Sequence, residues 1–329
     1  MHFAYVLNMH PFNIADIENV VMKAADVALE HFGKTFPEGK EVIAESSELK
    51  AEKSAFSFVD AKVQEIIMKE LSGIRNLGLV IEESTPDIEI LAEKFFHRNR
   101  LPNDKYTLVI DPIDGSKNFL SGTPGTKDYG KHFSKFWSIS VAIFKGTEPI
   151  VGVIRYPLLN LTLVTETGKG TYLNGKKLSL VKDSDYSSLD FVRFTRALEA
   201  ERPDLKKIFP DDSLIGPGCF TVAFLGLIKG TSDIKLKDLE LPELIAYKAH
   251  LCKGMMLEDL GCTTLAYREA GGLVCDSRGQ EVNPIKNHEY DTEKQQMKIP
   301  GFFIMVPNQT YLNGLLKLIN AKHPNIMRQ

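Results

Sequence analysis

The sequence lacks the cysteine pattern of a disulfide-bonded or zinc-binding protein. Its four cysteines, Cys219, Cys252, Cys262 and Cys275, include no C-x-x-C pair and stand in apolar surroundings. We therefore expect buried, reduced thiols. An excess of basic residues is missing too, because the formal net charge is -3. Such a chain offers no basic face for nucleic acid and no polybasic signal for a membrane surface, so neither is expected as a partner.

Long hydrophobic runs are also absent. No segment approaches the roughly 20 apolar residues of a membrane-spanning helix, and residues 1–8 lack the basic leader and apolar core of a signal peptide. Together with the cysteines, this predicts a cytoplasmic protein. The remaining composition is typical of a soluble globular chain, since 43% of the 329 residues are hydrophobic and 25% are charged.

The most informative stretch spans residues 108–119 and reads L-V-I-D-P-I-D-G-S-K-N-F. The apolar residues predict a buried strand, which must stop or leave its neighbour at the proline. The glycine then permits a tight turn. This bend would bring Asp111 and Asp114 together, with Ser116 expected as the N-cap of the next helix. Such a bend can hold cations and phosphate, although D-P-x-D-G is also ordinary turn chemistry.

Two other acidic sites stand at the ends of predicted elements. Glu82-Glu83-Ser84 follows an apolar run at residues 77–81. Far downstream, Glu258-Asp259 opens a run of small residues that closes with E-A-G-G at residues 269–272. Small residues along that predicted helix indicate close packing against a neighbour. Three separate acidic sites thus need a common explanation.

The order and spacing of these motifs resemble the inositol monophosphatase-like family of Mg²⁺-dependent, lithium-sensitive phosphatases, a superfamily that includes fructose-1,6-bisphosphatases and bisphosphate nucleotidases. The family signatures are E-E-[ST], D-P-[IL]-D-G-[ST] and D-x-[AG]-A-x-x-x-[IL]-x-x-E-A-G-G. They match residues 82–84, 111–116 and 259–272. Segments 153–157 and 168–178 also look like family segments, so the resemblance covers most of the chain.

The resemblance implies a mixed α/β fold, a layered αβαβα sandwich of the sugar-phosphatase type with largely antiparallel and mixed sheets. It implies a single phosphatase domain over residues 1–329. The N-terminal half, to about residue 183, would carry the metal-site strands, and the C-terminal half, from about residue 184, would complete the metal and substrate site. Consecutive strand patterns in the middle of the chain argue independently against a purely alternating β-α-β sheet.

The resemblance also implies roles for individual residues. The metal ligands would be Glu82, Asp111, the backbone carbonyl of Ile113, Asp114 and Asp259, with Asp60 as a weaker contact through water. The catalytic residues would be Ser116, Glu83 and Asp114. In this scheme the Ser116 hydroxyl replaces a family threonine and orients the attacking water with Glu83 or Glu82. Phosphate or substrate would contact Gly115, Ser116, Gly218 and Cys219.

Asp60 has a second interpretation. Helical spacing predicts one helix over residues 14–31, ended by Gly33, and another from residue 57 to 71 whose first turn carries Asp60. There, Asp60 is either the outer metal contact or simply a favourable charge at a helix N-terminus. A third helix is predicted over residues 87–100.

The expected function is Mg²⁺-dependent hydrolysis of a small phosphorylated metabolite. A water that attacks a phosphate monoester meets two negative charges and must lose a proton, and divalent cations neutralise, orient and acidify together. Two or three Mg²⁺ ions per site are implied, with Mn²⁺ or Ca²⁺ as substitutes in crystals. Inositol monophosphate, 3′-phosphoadenosine 5′-phosphate, fructose 1,6-bisphosphate and histidinol phosphate all remain open as substrates. A homodimer is expected. The alternative is a catalytically inactive relative that acts as a binding or regulatory protein.

The chain departs from the family pattern at several places. Cys219 stands where threonine or serine is usual, and Glu258 where many relatives have tryptophan. Cys252 occupies the place at which inositol-selective members carry a glutamate for substrate hydroxyls, so the sequence does not support inositol selectivity. Residues 120–135 form a longer loop than usual, either a substrate lid or a surface insertion.

Overall fold

The computed structural model describes most of the chain, and the fold and site are built from that part. The described residues are 12–34, 48–74, 77–98, 105–122, 124, 129–130, 134–180, 192–195, 219–232, 244, 246–291 and 296–322. Gly218, most of the long loop after residue 120, and the predicted boundary between the two halves near residue 183 lie outside them.

A large mixed sheet contains the strand that carries Asp111. Its eight strands are β1 Leu77–Ile81, β2 Phe96–Arg98, β3 Tyr106–Asp114, β4 Ser138–Lys145, β5 Glu148–Tyr156, β6 Leu161–Glu166, β7 Gly170–Leu173 and β8 Lys176–Lys177. The spatial order is β2-β1-β3-β4-β5-β6-β7-β8. β1 is parallel to β2 and β3, whereas every pair from β3–β4 to β7–β8 is antiparallel. The predicted mixed, largely antiparallel character is confirmed.

A smaller sheet forms from the C-terminal part of the chain. Its strands are β9 Val192–Phe194, β10 Ala249–Met256, β11 Leu273–Cys275, β12 Glu289–Asp291 and β13 Gln296–Val306. The order is β11-β13-β10-β9, and β12 also pairs with β13. β9 and β10 run parallel, which places Arg193 directly opposite His250.

The helices cover and separate the two sheets. They are α1 Ile14–His31, α2 Glu48–Leu71, α3 Pro86–Phe95, α4 Ser116–Ser121, α5 Phe220–Thr231, α6 Leu257–Glu269 and α7 Gln309–Lys322. α1 and α2 pack on one face of the large sheet, α6 lies between the two sheets, and α7 packs on β13. This is the predicted αβαβα layering. None of the described helices is long and apolar enough to cross a bilayer.

Small residues on α6 allow it to lie close to the large sheet. A Cβ atom at Gly261 would sit 3.0 Å from the Cβ of Ala142 and 3.0 Å from the ring of Phe144. One residue on, the Cys262 thiol donates to the carbonyl of Val141 at 3.0 Å. The predicted packing role is confirmed, and this close approach brings the start of α6 to the end of β3. All four cysteines are buried and unbonded.

Two helices differ from their predicted bounds. α2 begins at Glu48 rather than near residue 57. The polar residues between these two positions are mostly good helix formers, so the helix extends through them. Asp60 therefore lies within the helix, and its interpretation as a charge at a helix N-terminus is wrong. α3 ends at Phe95. The next residues form β2, in which Phe96 is buried and pairs with Leu77 of β1.

Candidate active site

Asp111 and Asp114 stand at an irregularity near the end of β3. Asp111 pairs with Ser140 of β4, but Asp114 pairs with Ser138, so β3 has one residue more than its partner over this step. This is the geometry of a β-bulge, which re-aims side chains. The strand does leave its neighbour at Pro112, as predicted, but pairing resumes at Asp114 instead of ending.

Gly115, not Ser116, is the N-cap residue of α4. Its φ of 95° lies in the left-handed region, which glycine adopts without strain. A Cβ here would lie 2.8 Å from the Cβ of Cys219 and 2.9 Å from the carbonyl oxygen of Phe136. Ser116 is consequently the first helical residue, and its hydroxyl donates to the Ile113 carbonyl at 3.4 Å. The prediction of Ser116 as the N-cap is wrong.

Acids from separate motifs converge at this bend. Asp111, Asp114 and Asp259 each offer a carboxylate oxygen, and these oxygens lie within 4.8 Å of one another. Asp259 lies in the first turn of α6 and accepts a hydrogen bond from the Met256 backbone N–H at 3.4 Å. Glu82, directly after β1, lies close enough to this group that its charge raises the pKa of both Asp111 and Asp259. The fold thus collects four predicted ligands in one place.

Burial and mutual repulsion raise the pKa of these acids. For Asp111, burial is the largest cause of a pKa well above the usual range, followed by the charges of Glu82 and Asp114. Burial and then Glu258 raise the pKa of Glu82 to about 8. The pKa of Asp259 is likewise well above its usual range, through burial first and then Asp114 and Glu82. Bound cations would relieve this repulsion.

Several carboxylate oxygens of the cluster are available as ligands. Asp111 Oδ1, both side-chain oxygens of Asp60 and Glu258 Oε2 are buried without a hydrogen-bond partner. Buried polar atoms are normally satisfied, so orphaned oxygens need a reason. Hard oxygen donors are the ligands that Mg²⁺ prefers. The residues present therefore fit a divalent cation.

Asp114 is held by the N-terminus of α5. Its Oδ1 accepts from the Phe220 N–H at 3.1 Å. Its Oδ2 accepts from the Thr221 N–H and hydroxyl, both at 2.6 Å, and from the Cys219 thiol at 3.0 Å. Burial and the charge of Asp114 raise the pKa of the Cys219 thiol, which favours its protonated, donating form. Oδ1 accepts from one donor, whereas Oδ2 accepts from three, so Oδ1 is the oxygen with a lone pair left to bind a metal.

α2 supports the other side of the cluster. The Gln64 side chain donates to the Glu83 carbonyl at 2.8 Å and accepts from the Glu83 N–H at 3.2 Å, which fixes the turn after β1. One helical turn earlier, Asp60 is fully buried. Burial, then Glu82 and Glu83, raise the pKa of Asp60 well above its usual range. Asp60 therefore lies beside the cluster, and its outer metal contact stays a prediction.

Glu258 is an acid of the cluster that the predicted ligand set omits. It is 4% exposed, and burial followed by Asp259 raises its pKa to about 8. It also exerts the largest charge effect on Glu82. The E-D pair at the start of α6 is the sequence feature that could have indicated Glu258. The family pattern gives no ligand at this position, because tryptophan is common there.

Glu269 of the E-A-G-G motif has a structural role. Its two carboxylate oxygens accept from the Gly168 and Gly170 backbone N–H groups at 2.9 and 3.0 Å. The motif therefore fastens α6 to the turn between β6 and β7.

A cavity of about 280 Å³ opens beside Asp114 and Asp259. Its remaining walls are Arg193, Thr195, Cys219, Phe220, His250, Lys253, Gly254 and Met255. The sequence alone does not single out Arg193 or His250, because each stands alone in its strand and only the β9–β10 pairing unites them. Cys252, at the place of the family glutamate, is fully buried in the core between the sheets.

Known proteins resemble this chain in sequence and in fold. The chain matches the model of the inositol monophosphatase family over residues 8–311. It is 27% identical over 264 residues to the fructose-1,6-bisphosphatase/inositol-1-monophosphatase of Thermococcus kodakarensis, covering 79% of this chain and 81% of that protein. It is 27% identical over 279 residues to the Nus factor SuhB of Xylella fastidiosa, covering 80% and 83%. Inositol monophosphatase-II from Staphylococcus aureus shares the fold, with a TM-score of 0.61 and 14% identity over 94% of each chain.

Proposed function

Since this chain belongs to the inositol monophosphatase family, we propose that it is a metal-dependent phosphatase that hydrolyses a phosphomonoester of a small metabolite. The observation that carries the proposal is the convergence of carboxylate oxygens of Asp111, Asp114 and Asp259 within 4.8 Å of one another, with Glu82 near enough for its charge to raise the pKa of Asp111. Acids crowded this closely, with Asp111 and Asp114 buried, repel one another when no cation is bound, whereas they match what a hard cation requires.

The proposed cofactor is Mg²⁺, at two or three ions per site, and Mn²⁺ or Ca²⁺ can take its place in crystals. The proposed ligands are Glu82, Asp111, the Ile113 carbonyl, Asp114 and Asp259, with Asp60 acting through water. When bound, Mg²⁺ supplies charge neutralisation for the phosphate and a lowered pKa for a water molecule.

The protein's own groups would place the reactants. Gln64 holds the Glu83 peptide at the edge of the acid cluster. We assign the orientation of the attacking water to Ser116 with Glu83 or Glu82, since Ser116 directly follows the bend that carries Asp114. Gly115, Ser116, Gly218 and Cys219 are the proposed phosphate and substrate contacts. The Cys219 thiol lies in this region, because it donates a hydrogen bond to Asp114. Gly218 lies outside the described residues.

Inositol monophosphate and related sugar or nucleotide phosphates are the proposed substrates. The name of the Thermococcus relative favours a sugar or inositol phosphate. A homodimer in the cytoplasm stays a prediction.

Phosphate release from a panel of monoesters tests this proposal. We expect the wild type to release phosphate with Mg²⁺ and not with EDTA. Asp111→Asn should lose at least about a hundredfold in kcat/KM, because a metal ligand becomes a neutral amide. The matched control is Asp87→Asn, an exposed position in the first turn of α3, which should behave as wild type. Equal rates for Asp111→Asn and wild type would refute the assignment.

The second proposal is a regulatory or binding protein without turnover. It is favoured by the relative named Nus factor SuhB. A folded wild-type protein that binds divalent metal but releases no phosphate from any ester in the panel would support it.

A further inference from the structure

Glu258 is a buried acid that lies outside the three signature motifs. It stands in the first turn of α6, directly before Asp259, and its residue is only 4% exposed. Its Oε2 is buried without a hydrogen-bond partner. Taking a carboxylate out of water costs free energy unless a partner or a cation compensates for the loss. The position of Glu258 therefore needs a physical reason.

The start of α6 does not supply that reason. A helix N-terminus favours an acid in its first turn, but this effect operates at the protein surface and does not require burial. The side-chain bond to the N-cap residue also comes from elsewhere, because the carboxylate of Asp259 accepts from the Met256 N–H at 3.4 Å. Helix capping thus leaves the orphaned oxygen of Glu258 unexplained.

An ion pair within the protein does not supply it either. Within the described part of the chain, the charges with the largest effects on Glu258 and Glu82 are those of other acids. A buried carboxylate surrounded by like charges is strongly unfavourable without a positive partner. The positive charge that balances Glu258 must then come from a bound cation.

Its neighbours place Glu258 on the Glu82 side of the acid cluster. Its charge is the largest that acts on Glu82, ahead of that of the adjacent Glu83. It also acts on Asp111, whose Oδ1 is another buried oxygen without a partner. Since charge effects weaken with distance, Glu258 lies close to both acids. Glu82, Asp111 and Glu258 thus form a second group, which shares Asp111 with the three converged acids described above.

We propose that Glu258 is a direct ligand of a divalent cation, which it holds together with Glu82 and Asp111. The inference rests on the proposed function, because it adds a residue to the metal site assigned there. The orphaned oxygens of Asp111 and Glu258 are the atoms available for binding. The affinity of an oxygen site for a hard cation rises with the number of its charged ligands. A third carboxylate in place of a water molecule therefore lets this chain retain the cation at a lower free concentration.

Calorimetric titration of Mn²⁺ into metal-free protein measures the contribution of Glu258. Glu258→Gln keeps the shape of the side chain and removes its charge, and it should bind one Mn²⁺ roughly 10- to 100-fold more weakly than wild type. The matched control is Glu93→Gln, an exposed position on α3, which should bind as wild type does. Circular dichroism verifies that each variant is folded. Saturable binding to wild type with unchanged affinity in Glu258→Gln would overturn the inference.

Loss of a nearby charge also weakens a cation that the side chain does not touch, so the position of the ion must be measured as well. Wild-type crystals soaked in Mn²⁺ give this position through anomalous difference maps. We expect a peak within about 2.6 Å of oxygens of both Glu82 and Glu258, which is the range for a hard cation and its oxygen ligands. The same soak of Glu258→Gln crystals should give a weaker peak at this place.

A Mn²⁺ ion on Glu82 and Asp111 with both oxygens of Glu258 beyond that range would overturn the inference. It would leave the phosphatase proposal intact, because the ligands assigned there would still hold their cation. The proposed function fails separately, if no ester of the panel releases phosphate. A peak on Glu258 in a protein without turnover would support the ligand assignment and favour the binding protein.

Discussion

Thr221 donates both its backbone N–H and its hydroxyl to Oδ2 of Asp114, each at 2.6 Å. This pair joins the bend at the end of β3 to the start of α5, 107 residues further along the chain. The same hydroxyl contacts Ser138 and the Cys219 thiol. An acid of the proposed metal site is therefore positioned by a residue outside all three signature motifs.

Thr221→Val should lower the free energy of unfolding by about 1–3 kcal/mol, because it leaves a buried carboxylate with one donor fewer. Turnover should fall as well, since Asp114 loses part of its support. Thr221→Ser keeps the hydroxyl and should lose less of both. Urea unfolding midpoints and kcat at saturating Mg²⁺ measure the two effects. Equal behaviour of the valine and serine variants would show that the hydroxyl does not hold Asp114.

The metal-free protein should become less stable as pH rises. Glu82 and Glu258 each have a pKa of about 8 in the fold against an ordinary value of 4.5, so the folded state binds their protons more tightly than the unfolded chain. The stability that this contributes is fully present below about pH 4.5 and is lost as pH approaches 8. In EDTA, Tm should therefore fall between pH 5 and pH 9, and Mg²⁺ should restore it at the high end.

Glu258→Gln is the variant for this pH effect. It removes one of the two titrating groups and lessens the repulsion on Glu82, so the decline of Tm in EDTA should be smaller than in wild type. Asp87→Asn, an exposed position outside the cluster, should keep the full decline. A pH-independent Tm in metal-free wild type would contradict the proposed crowding of acids.

Gly115→Ala should destabilise the fold by about 2–4 kcal/mol through two effects. The φ of 95° is strained for alanine, and the new Cβ would meet Cys219 and Phe136 at 2.8 and 2.9 Å. Gly168→Ala separates the effects, because Gly168 has a φ of 76° and no atom lies within 4 Å of the place that a Cβ would take. It should cost about 1 kcal/mol. Chemical denaturation measures the free energy of unfolding of both variants. Similar losses would mean that Cys219 moves aside at little cost and that the contact adds nothing to the effect of the backbone strain.

Local sequence patterns predict much of the fold. The apolar spacing over α1 gives its bounds, since Ile17, Val21, Ala24 and Ala28 are buried on one face and Gly33 has a φ of 73° beyond its end. Asp111 and Asp114 stand out within their own stretch. The family pattern is needed to associate them with Glu82 and Asp259, because nothing local indicates which strand ends meet.

Other features depend on contacts between distant segments. Arg193 and His250 face each other only because β9 runs parallel to β10, and a lone arginine or histidine in a strand gives no sign of its neighbour. The start of α2 is hard to predict because a polar helix and a polar loop have similar compositions. Serine is a common N-cap residue, so residue type alone favours Ser116 as the N-cap of α4. The positive φ at Gly115 instead decides where α4 begins.

Titration of Mn²⁺ into metal-free protein by calorimetry tests most directly whether the converged acids form a cation site. Asp111→Asn is a sharper probe than Asp114→Asn, because Asp114 also anchors α5 through its hydrogen bonds. Wild type and Asp87→Asn should bind Mn²⁺ saturably with the same affinity, and Asp111→Asn should bind at least about tenfold more weakly. No saturable binding to folded wild type, or unchanged affinity in Asp111→Asn, would contradict the account.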